Sequence, residues 1–322
     1  MKAVLLDAAT LSDDVDLAPI AAQVTQFEYF ELTDQSTVID RLKHADIALT
    51  NKVIINAEAM AALPDLKLIC VLATGTNNID MDEAKRRGID VRNVAAYGTA
   101  SVVQHTMMIM LALATRLALY QRDVAAHAWD QSPIFTLLDH RILQLQGKHL
   151  VIVGQGELGS SVAKIAQAFG MTVTFTARPG NEHNDPRPAL TEVAPLADVL
   201  SLHCPLTSET HHLVDEALIA SMKNDALLIN CARGGVIDEA AALEALKTGR
   251  LGGLGVDSLP QEPPREGHML IDALGQGGLN LIVTPHNAWA TLEARQNVVD
   301  LTADNIARFL SSRSENATTD GC

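Results

Sequence analysis

The sequence predicts an α/β protein in which a doubly wound parallel sheet is carried inside a second, smaller α/β domain. Three observations lead there. Short apolar and β-branched runs alternate with helical stretches along most of the 322 residues, the pattern of parallel strands joined by crossover helices. One strand–turn–helix–strand unit, residues 149–179, carries three glycines at fixed spacing. The alternation also runs on both sides of that unit, over a length that suits two domains rather than one.

Taken in order, residues 2–6 and 24–30 read as strands. Residues 37–42 read as a short helix with Thr37 as its N-cap, and residues 47–50 as a strand. Residues 57–63 form a helix stopped by Pro64, and 66–72 a strand. Residues 81–87 are helical and end at Gly88, before an extended stretch at 89–94. Residues 101–127, rich in Met, Leu and Ala, read as one long helix crossing between domains. After the strand at 149–153, a helix runs from about residue 158 to Gly170, and 172–176 is the next strand. Strands follow at 198–203 (stopped by Pro205) and 226–230. Residues 239–247 form a helix capped by Asp238 and closed by Gly249, and 254–256 and 281–283 complete the sheet. Residues 291–310 read as a long amphipathic helix, and 311–322 as a frayed polar tail. The plan is a nucleotide domain at 102–290 inserted into a domain built from 1–101 and 291–322, with a cleft between them.

Gly154, Gly156 and Gly159 follow a buried strand and open a helix. In that context G-x-G-x-x-G suits a dinucleotide. The first glycine permits the turn, the second admits the pyrophosphate, and the third allows close helix–strand packing. The sites that composition excludes are as informative. The charge of 24 − 39 = −15 argues against nucleic acid or an anionic membrane as partner. Cys70, Cys204, Cys231 and Cys322 show no metal-type spacing, and no metal is expected. Reduced thiols, no signal-type h-region at the N-terminus, and no apolar segment longer than residues 106–114 point to a soluble, cytoplasmic protein.

Ligands of open parallel sheets bind beyond the carboxyl ends of the strands. There the sequence places Ala73-Thr74-Gly75, His203-Cys204-Pro205, Cys231-Ala232-Arg233, Asp257 with Glu262, and His286-Asn287-Ala288. A strand-end arginine suits a carboxylate, and a histidine beside a carboxylate suits proton transfer to a developing alkoxide. Each alone would be ordinary. Together on one nucleotide-binding sheet they suggest carbonyl reduction.

Over nearly its whole length the chain resembles the D-isomer-specific 2-hydroxyacid dehydrogenase family. The resemblance is carried by ATGTNNID (73–80), SVVQHT (101–106), VGQGELG (153–159), HCPLT (203–207), NCARGG (230–235), EPP (262–264) and TPHNAW (284–289). ATGTNN, QHT, LLDH (137–140) and GELG are most similar to the hydroxypyruvate reductase, or glycerate dehydrogenase, branch. The resemblance implies a Rossmann-type doubly wound sheet inserted into a flavodoxin-like domain. It also implies that Arg233, Glu262 and His286 are catalytic. Arg233 and the Ala73, Thr74 and Gly75 loop would hold the substrate, and Glu262 would pair with and tune His286, the acid/base. Thr106, Gly154, Gln155, Gly156, Glu157, Leu158, Gly159, Arg178, His203, Pro205, Thr210, Cys231, Ala232, Asp257 and Ala288 would meet the cofactor. The family's dimerisation through nucleotide domains implies a homodimer.

Two departures stand out. Where an NAD site carries an acid for the ribose 2′-OH, this chain has Ala177 followed by Arg178, which favours NADP(H) while leaving NAD(H) possible. Glu157 replaces an arginine common near the pyrophosphate. The reading is an NADP(H)-preferring reductase of small 2-oxo acids, converting hydroxypyruvate to D-glycerate and glyoxylate to glycolate. Rivals are a dehydrogenase of another acid (D-lactate, a larger 2-hydroxy acid, phosphite or formate) and a non-enzymatic, corepressor-like dinucleotide sensor. Trp129, Phe135 and Trp289 are candidate substrate walls, with packing the simpler role for each.

Overall fold

The structure, a computed structural model, describes residues 1–319, with side chains through Arg313. It forms two compact units, Met1–Gly98 with the chain from Ala290, and Thr99–Trp289. The first break thus falls three residues before the expected 101/102. The reason is local: Thr99 Oγ1 donates to Glu157 and Ser101 Oγ to Ala288 O, both inside the second unit.

In the first unit β1 (Lys2–Leu5), α1 (Ala18–Ala21), β2 (Gln26–Tyr29), α2 (Val38–Leu42), β3 (Ile47–Thr50), α3 (Ala57–Ala62), β4 (Leu68–Val71), α4 (Met81–Arg87) and β5 (Asp90–Asn93) alternate. The five strands are parallel, in the order β2-β1-β3-β4-β5. The central strands are apolar apart from Lys2 at the start of β1 and Thr50 at the end of β3, because both faces are covered. Ala3, Leu5, Ile47, Leu49 and Leu68 enter one core; Val4, Ala48, Ile69 and Val71 enter the other. Asn56 and Asp80 cap α3 and α4 through the N–H groups of Ala59 and Glu83. Thr37 is no cap. Its hydroxyl donates to Asp34 O, closing a 3₁₀ turn at Gln35–Thr37 that precedes α2.

In the second unit come α5 (Thr99–Ala114), α6 (Leu117–Ala125), β6 (His149–Val153), α7 (Glu157–Ala168), β7 (Thr172–Phe175), α8 (Leu190–Val193) and β8 (Val199–Leu202). Then follow α9 (Glu216–Ser221), β9 (Leu227–Asn230), α10 (Glu239–Lys247), β10 (Gly253–Val256), α11 (Met269–Gln276) and β11 (Leu281–Val283). The parallel sheet has the order β11-β10-β9-β8-β6-β7. α5 and α7 cover one face with Val103, Ile109, Leu113 and Val162. α9, α10 and α11 cover the other with Leu218, Leu243 and Leu270. β6 is followed on one side by β7 and on the other by β8, so the chain reverses its winding beside β6, where such sheets take their ligands.

The expected helix over 101–127 is two helices bent by 60°. Arg116 stands between them in the left-handed region at φ 55°. Its guanidinium donates to Gly252 O, Arg141 O and Asp225, fixing the break from outside the helix. The chain returns to the first unit with α12 (Leu292–Thr319), which buries Val298, Val299, Ile306 and Phe309 in that unit's core. The helix passes the expected end at Leu310, because the polar stretch beyond it holds no Gly or Pro to stop it. The remainder of the expected frayed tail, residues 320–322 with Cys322, lies outside the described residues. Among the described residues no single helix is long and apolar enough to cross a membrane.

Candidate active site

The fingerprint has the space its residue types require. Gly154 stands at φ 103°, and a Cβ there would lie 2.5 Å from His203 O, so the end of β6 touches the end of β8. A Cβ at Gly159 would fall 2.0 Å from Gly154 O, whereas one at Gly156 meets nothing within 4 Å. That opening faces the first turn of α7, which has no side-chain cap. Free N–H groups beside an open cradle fit a phosphate. His203 adds a second sign. Its Nε2 meets Ser201 Oγ at 2.9 Å, while Nδ1 is enclosed without a partner among the described residues. Burial pushes this imidazole down to about 4, so it is neutral near pH 7.

Other expected cofactor residues divide into those that line this region and those that brace it. Glu157 accepts the Thr99 hydroxyl at 2.8 Å. Leu158 packs against the α5/α7 core. Thr210 Oγ1 donates to Pro205 O at 2.7 Å and accepts Thr207 N–H at 2.7 Å, which closes the loop after β8. Thr106 is buried and bonds the Cys231 thiol, which burial pushes up to about 12. Cys70 and Cys204 are likewise buried and pushed up, to about 12 and about 11, and all three are free.

Three chemical groups sit beyond adjacent strands β9, β10 and β11. After β9, Asn230 Oδ1 accepts Ala232 N–H and its Nδ2 donates to Arg233 O, so the loop is turned by one amide. Arg233 is exposed, donates to Ala232 O at 2.7 Å, and has no carboxylate partner among the described residues. The next residue, Gly234, lies against the Leu259–Pro260 backbone, where a Cβ would fall 2.0 Å from a carbonyl carbon. This close approach ties the arginine loop to the one bearing Glu262. Glu262 Oε1 accepts Leu259 N–H at 2.8 Å, and Oε2 meets His286 Nδ1 at 2.5 Å.

Asp257, at the end of β10, anchors the His286 loop. Its Oδ1 accepts the Thr284 hydroxyl at 2.6 Å and Asn287 N–H at 3.1 Å, and Oδ2 accepts Ala288 N–H at 3.0 Å. Burial opposes its ionisation. The hydrogen bonds from His105, Thr284 and Ala288 outweigh that, and the carboxyl stays below its ordinary value. His105 was given no role by the sequence beyond its place in the QHT motif. Its Nε2 lies 2.9 Å from Thr284 Oγ1 and 3.4 Å from Asp257 Oδ1, so it braces the same loop from α5.

In the first unit, the Ala73–Gly75 turn follows β4. Ala73 O accepts Val94 N–H and Thr74 O accepts Asn93 Nδ2. The N–H groups of Thr74 and Gly75 find no acceptor among the described residues of that unit. Trp129 and Phe135 depart from the expected packing, being 52% and 90% exposed, with Trp129 Nε1 donating to Phe135 O. Two residues that the sequence left unassigned, Asp185 and Arg187, stand beside Gln155 and Arg178.

Residues 107–288 match the family described as D-isomer specific 2-hydroxyacid dehydrogenase, NAD binding domain. The chain is 41% identical over 290 residues to a glycerate dehydrogenase of Methylorubrum extorquens, covering 90% of each chain. It is 35% identical to a hydroxypyruvate reductase of Blautia hydrogenotrophica, covering 96% of this chain and 97% of the relative. A solved Thermus thermophilus protein superimposes with a TM-score of 0.79 at 30% identity, over 97% of both chains. With a dinucleotide cradle at the β6/β8 switch and relatives of this extent, the chain belongs to the D-isomer-specific 2-hydroxyacid dehydrogenases and is an oxidoreductase.

Proposed function

We propose that this enzyme is an NADP(H)-preferring reductase of small 2-oxo acids, turning hydroxypyruvate into D-glycerate and glyoxylate into glycolate. The observation that carries the reading is the His286–Glu262 pair at 2.5 Å, on the same sheet edge as an arginine with no carboxylate partner among the described residues. The fork of Arg233 suits a bidentate grip on the substrate carboxylate. In the first unit, the N–H groups of Thr74 and Gly75, which find no acceptor among its described residues, are of a kind suited to an anion. With Nδ1 held by Glu262, Nε2 of His286 is the nitrogen left to give a proton to the forming alkoxide or take one from the hydroxyl. The nicotinamide, when bound, supplies or accepts the hydride. Ala177-Arg178 at the end of β7 supports the 2′-phosphorylated cofactor, and the names of the relatives support the substrate.

Segment 126–148 exposes Ile134 (53%), Phe135 (90%), Leu138 (76%) and Ile142 (57%). Apolar side chains on a segment without helix or strand suit a homodimer interface. Buried free thiols suit a reducing, cytoplasmic setting. Initial rates for hydroxypyruvate, glyoxylate and pyruvate with NADPH and NADH test the reading. The highest kcat/KM is expected for hydroxypyruvate with NADPH. Turnover confined to another acid, or faster with NADH, overturns the substrate or the cofactor assignment respectively.

A further inference from the structure

We propose that Arg187, oriented by Asp185, is the main reader of the 2′ position of the adenosine ribose, with Arg178 secondary. The inference deepens the NADP(H) reading and rests on it. In dinucleotide folds the end of the second strand is the ribose end, where an acid ordinarily meets the 2′-OH. Here that strand is β7, and Ala177 follows it. Ala177 N–H donates to Pro188 O at 2.7 Å, so the whole loop 178–188 returns to the strand end.

That return brings to the strand end two charged residues that lie eight and ten positions beyond Ala177 in the sequence. Asp185 Oδ2 accepts Arg178 N–H at 2.9 Å, and Oδ1 accepts Arg187 N–H at 3.1 Å and Nε at 2.8 Å. Arg187 Nη2 bonds Oδ2 as well, completing a bidentate pair. The carboxylate side chain is only 7% exposed, and the Arg187 guanidinium holds its carboxyl well below the usual range. With both oxygens engaged, Asp185 has no acceptor to offer a ribose hydroxyl. It is a platform for the arginine.

Arg187 Nη1 reaches Gln155 Oε1 at 3.0 Å, between the first two glycines of the fingerprint. The guanidinium is therefore pinned at once to the end of β7 and to the phosphate turn, with 29% of the side chain exposed. A planar fork held in place and open on one edge matches a phosphate monoester. Arg178 contributes its backbone to the cluster while its side chain is exposed, and its charge acts on Glu209, whose carboxyl is lowered first by Ser208 and Thr207 and then in part by this arginine. Arg178 and Arg187 are matched in formal charge by Asp185 and by Glu182, whose Oε1 accepts Gly180 N–H at 3.0 Å, so an anion would be held by the placement of the fork rather than by net charge.

The test is calorimetric titration of the enzyme with 2′-phospho-ADP-ribose and with ADP-ribose, which needs no turnover. The wild-type enzyme is expected to bind the phosphorylated probe more tightly. Arg187→Ala should lose about tenfold or more of that affinity with ADP-ribose changed less than about twofold. The retained ADP-ribose binding reports an intact fold. Arg178→Ala should lose less, and Asp185→Asn should fall between, because the guanidinium remains but its orientation is lost. A preference that survives in Arg187→Ala but collapses in Arg178→Ala overturns this assignment and leaves the NADP(H) reading in place. A wild-type enzyme without preference overturns both.

Discussion

Replacing Glu262 by glutamine probes the proposed catalytic pair with little change of shape. The bond from Glu262 Oε2 to His286 Nδ1 is 2.5 Å, and a charge-assisted bond of this kind contributes about 1.5–3 kcal/mol when enclosed. The two side chains keep 29% and 33% of their surface, so solvent screening reduces the figure to about 1–2 kcal/mol. At about 1.4 kcal/mol per factor of ten, kcat should fall roughly 5–30-fold. Glutamine can still accept Leu259 N–H through its carbonyl, so the loop keeps its anchor. What changes is the group facing Nδ1, where an amide donor replaces an acceptor and opposes the doubly protonated ring. Steady-state kcat for hydroxypyruvate reduction, read with NADPH affinity from nicotinamide fluorescence, separates the outcomes. A kcat within twofold of wild type refutes the pairing argument. An equal loss of cofactor affinity would assign the effect to loop collapse instead.

His286→Ala removes the acid/base itself and should lower kcat/KM by about 10²–10⁴-fold, with NADPH binding by fluorescence retained; unchanged turnover would dismiss His286 from the role. Gly154→Ala puts a Cβ 2.5 Å from His203 O at φ 103°. Left-handed strain and overpacking together cost about 2–5 kcal/mol, so Tm should drop by roughly 4–15 °C in a scanning melt. Retention of the wild-type Tm would contradict the close approach of β6 and β8. For pH, one depressed carboxyl that braces the site is Asp257, whose ordinary value is 3.8. Its stabilisation is full above that value and is lost as pH falls through the lower folded value. Urea titrations should show Asp257→Asn less stable by about 1–3 kcal/mol near neutral pH. The gap should stay constant down to about pH 4 and then close; a gap that narrows between pH 7 and 5 would assign it to another group.

Most of the sheet architecture was legible because parallel strands buried on both faces leave continuous apolar runs. Residues 47–50, 149–153 and 281–283 are strands at the expected bounds. Helix ends were legible where the chain marks them itself. Asp80 and Gly88 bound α4, and Asp238 accepts Ala241 N–H at the start of α10. The break after α5 was hidden because its cause is distant in sequence: Arg116 turns there to reach Gly252 and Asp225. α11 was missed for a related reason. Its cap is His268, whose Nδ1 accepts Leu270 N–H, and histidine is not among the residues that ordinarily announce a helix.

The proposed chemical groups were legible for a stricter reason. Arg233, Glu262 and His286 each lie a few residues beyond a readable strand, and adjacency of β9, β10 and β11 then gathers those ends on one edge. Strand register does the placing, and register can be read. Arg187 and Asp185 are positioned by a loop that folds back onto β7, and His105 by the face α5 turns to the sheet; neither contact has a local signature. The difference has a consequence for how the site can change. The loop of His286 is fastened by four bonds, three from Thr284, Asn287 and Ala288 to buried Asp257 and one between half-buried Thr284 and His105, so alterations there disturb the fold as well as the reaction. Loop 178–188 is held chiefly by Asp185, through its ion pair with Arg187 and the N–H groups of Arg178 and Arg187, and by the backbone bond from Ala177 N–H to Pro188 O. On the present reading the cofactor is chosen there, where substitution costs the sheet almost nothing. Exchange of Asp185 and Arg187 should therefore alter the balance between NADP(H) and NAD(H) while leaving the His286–Glu262 geometry intact.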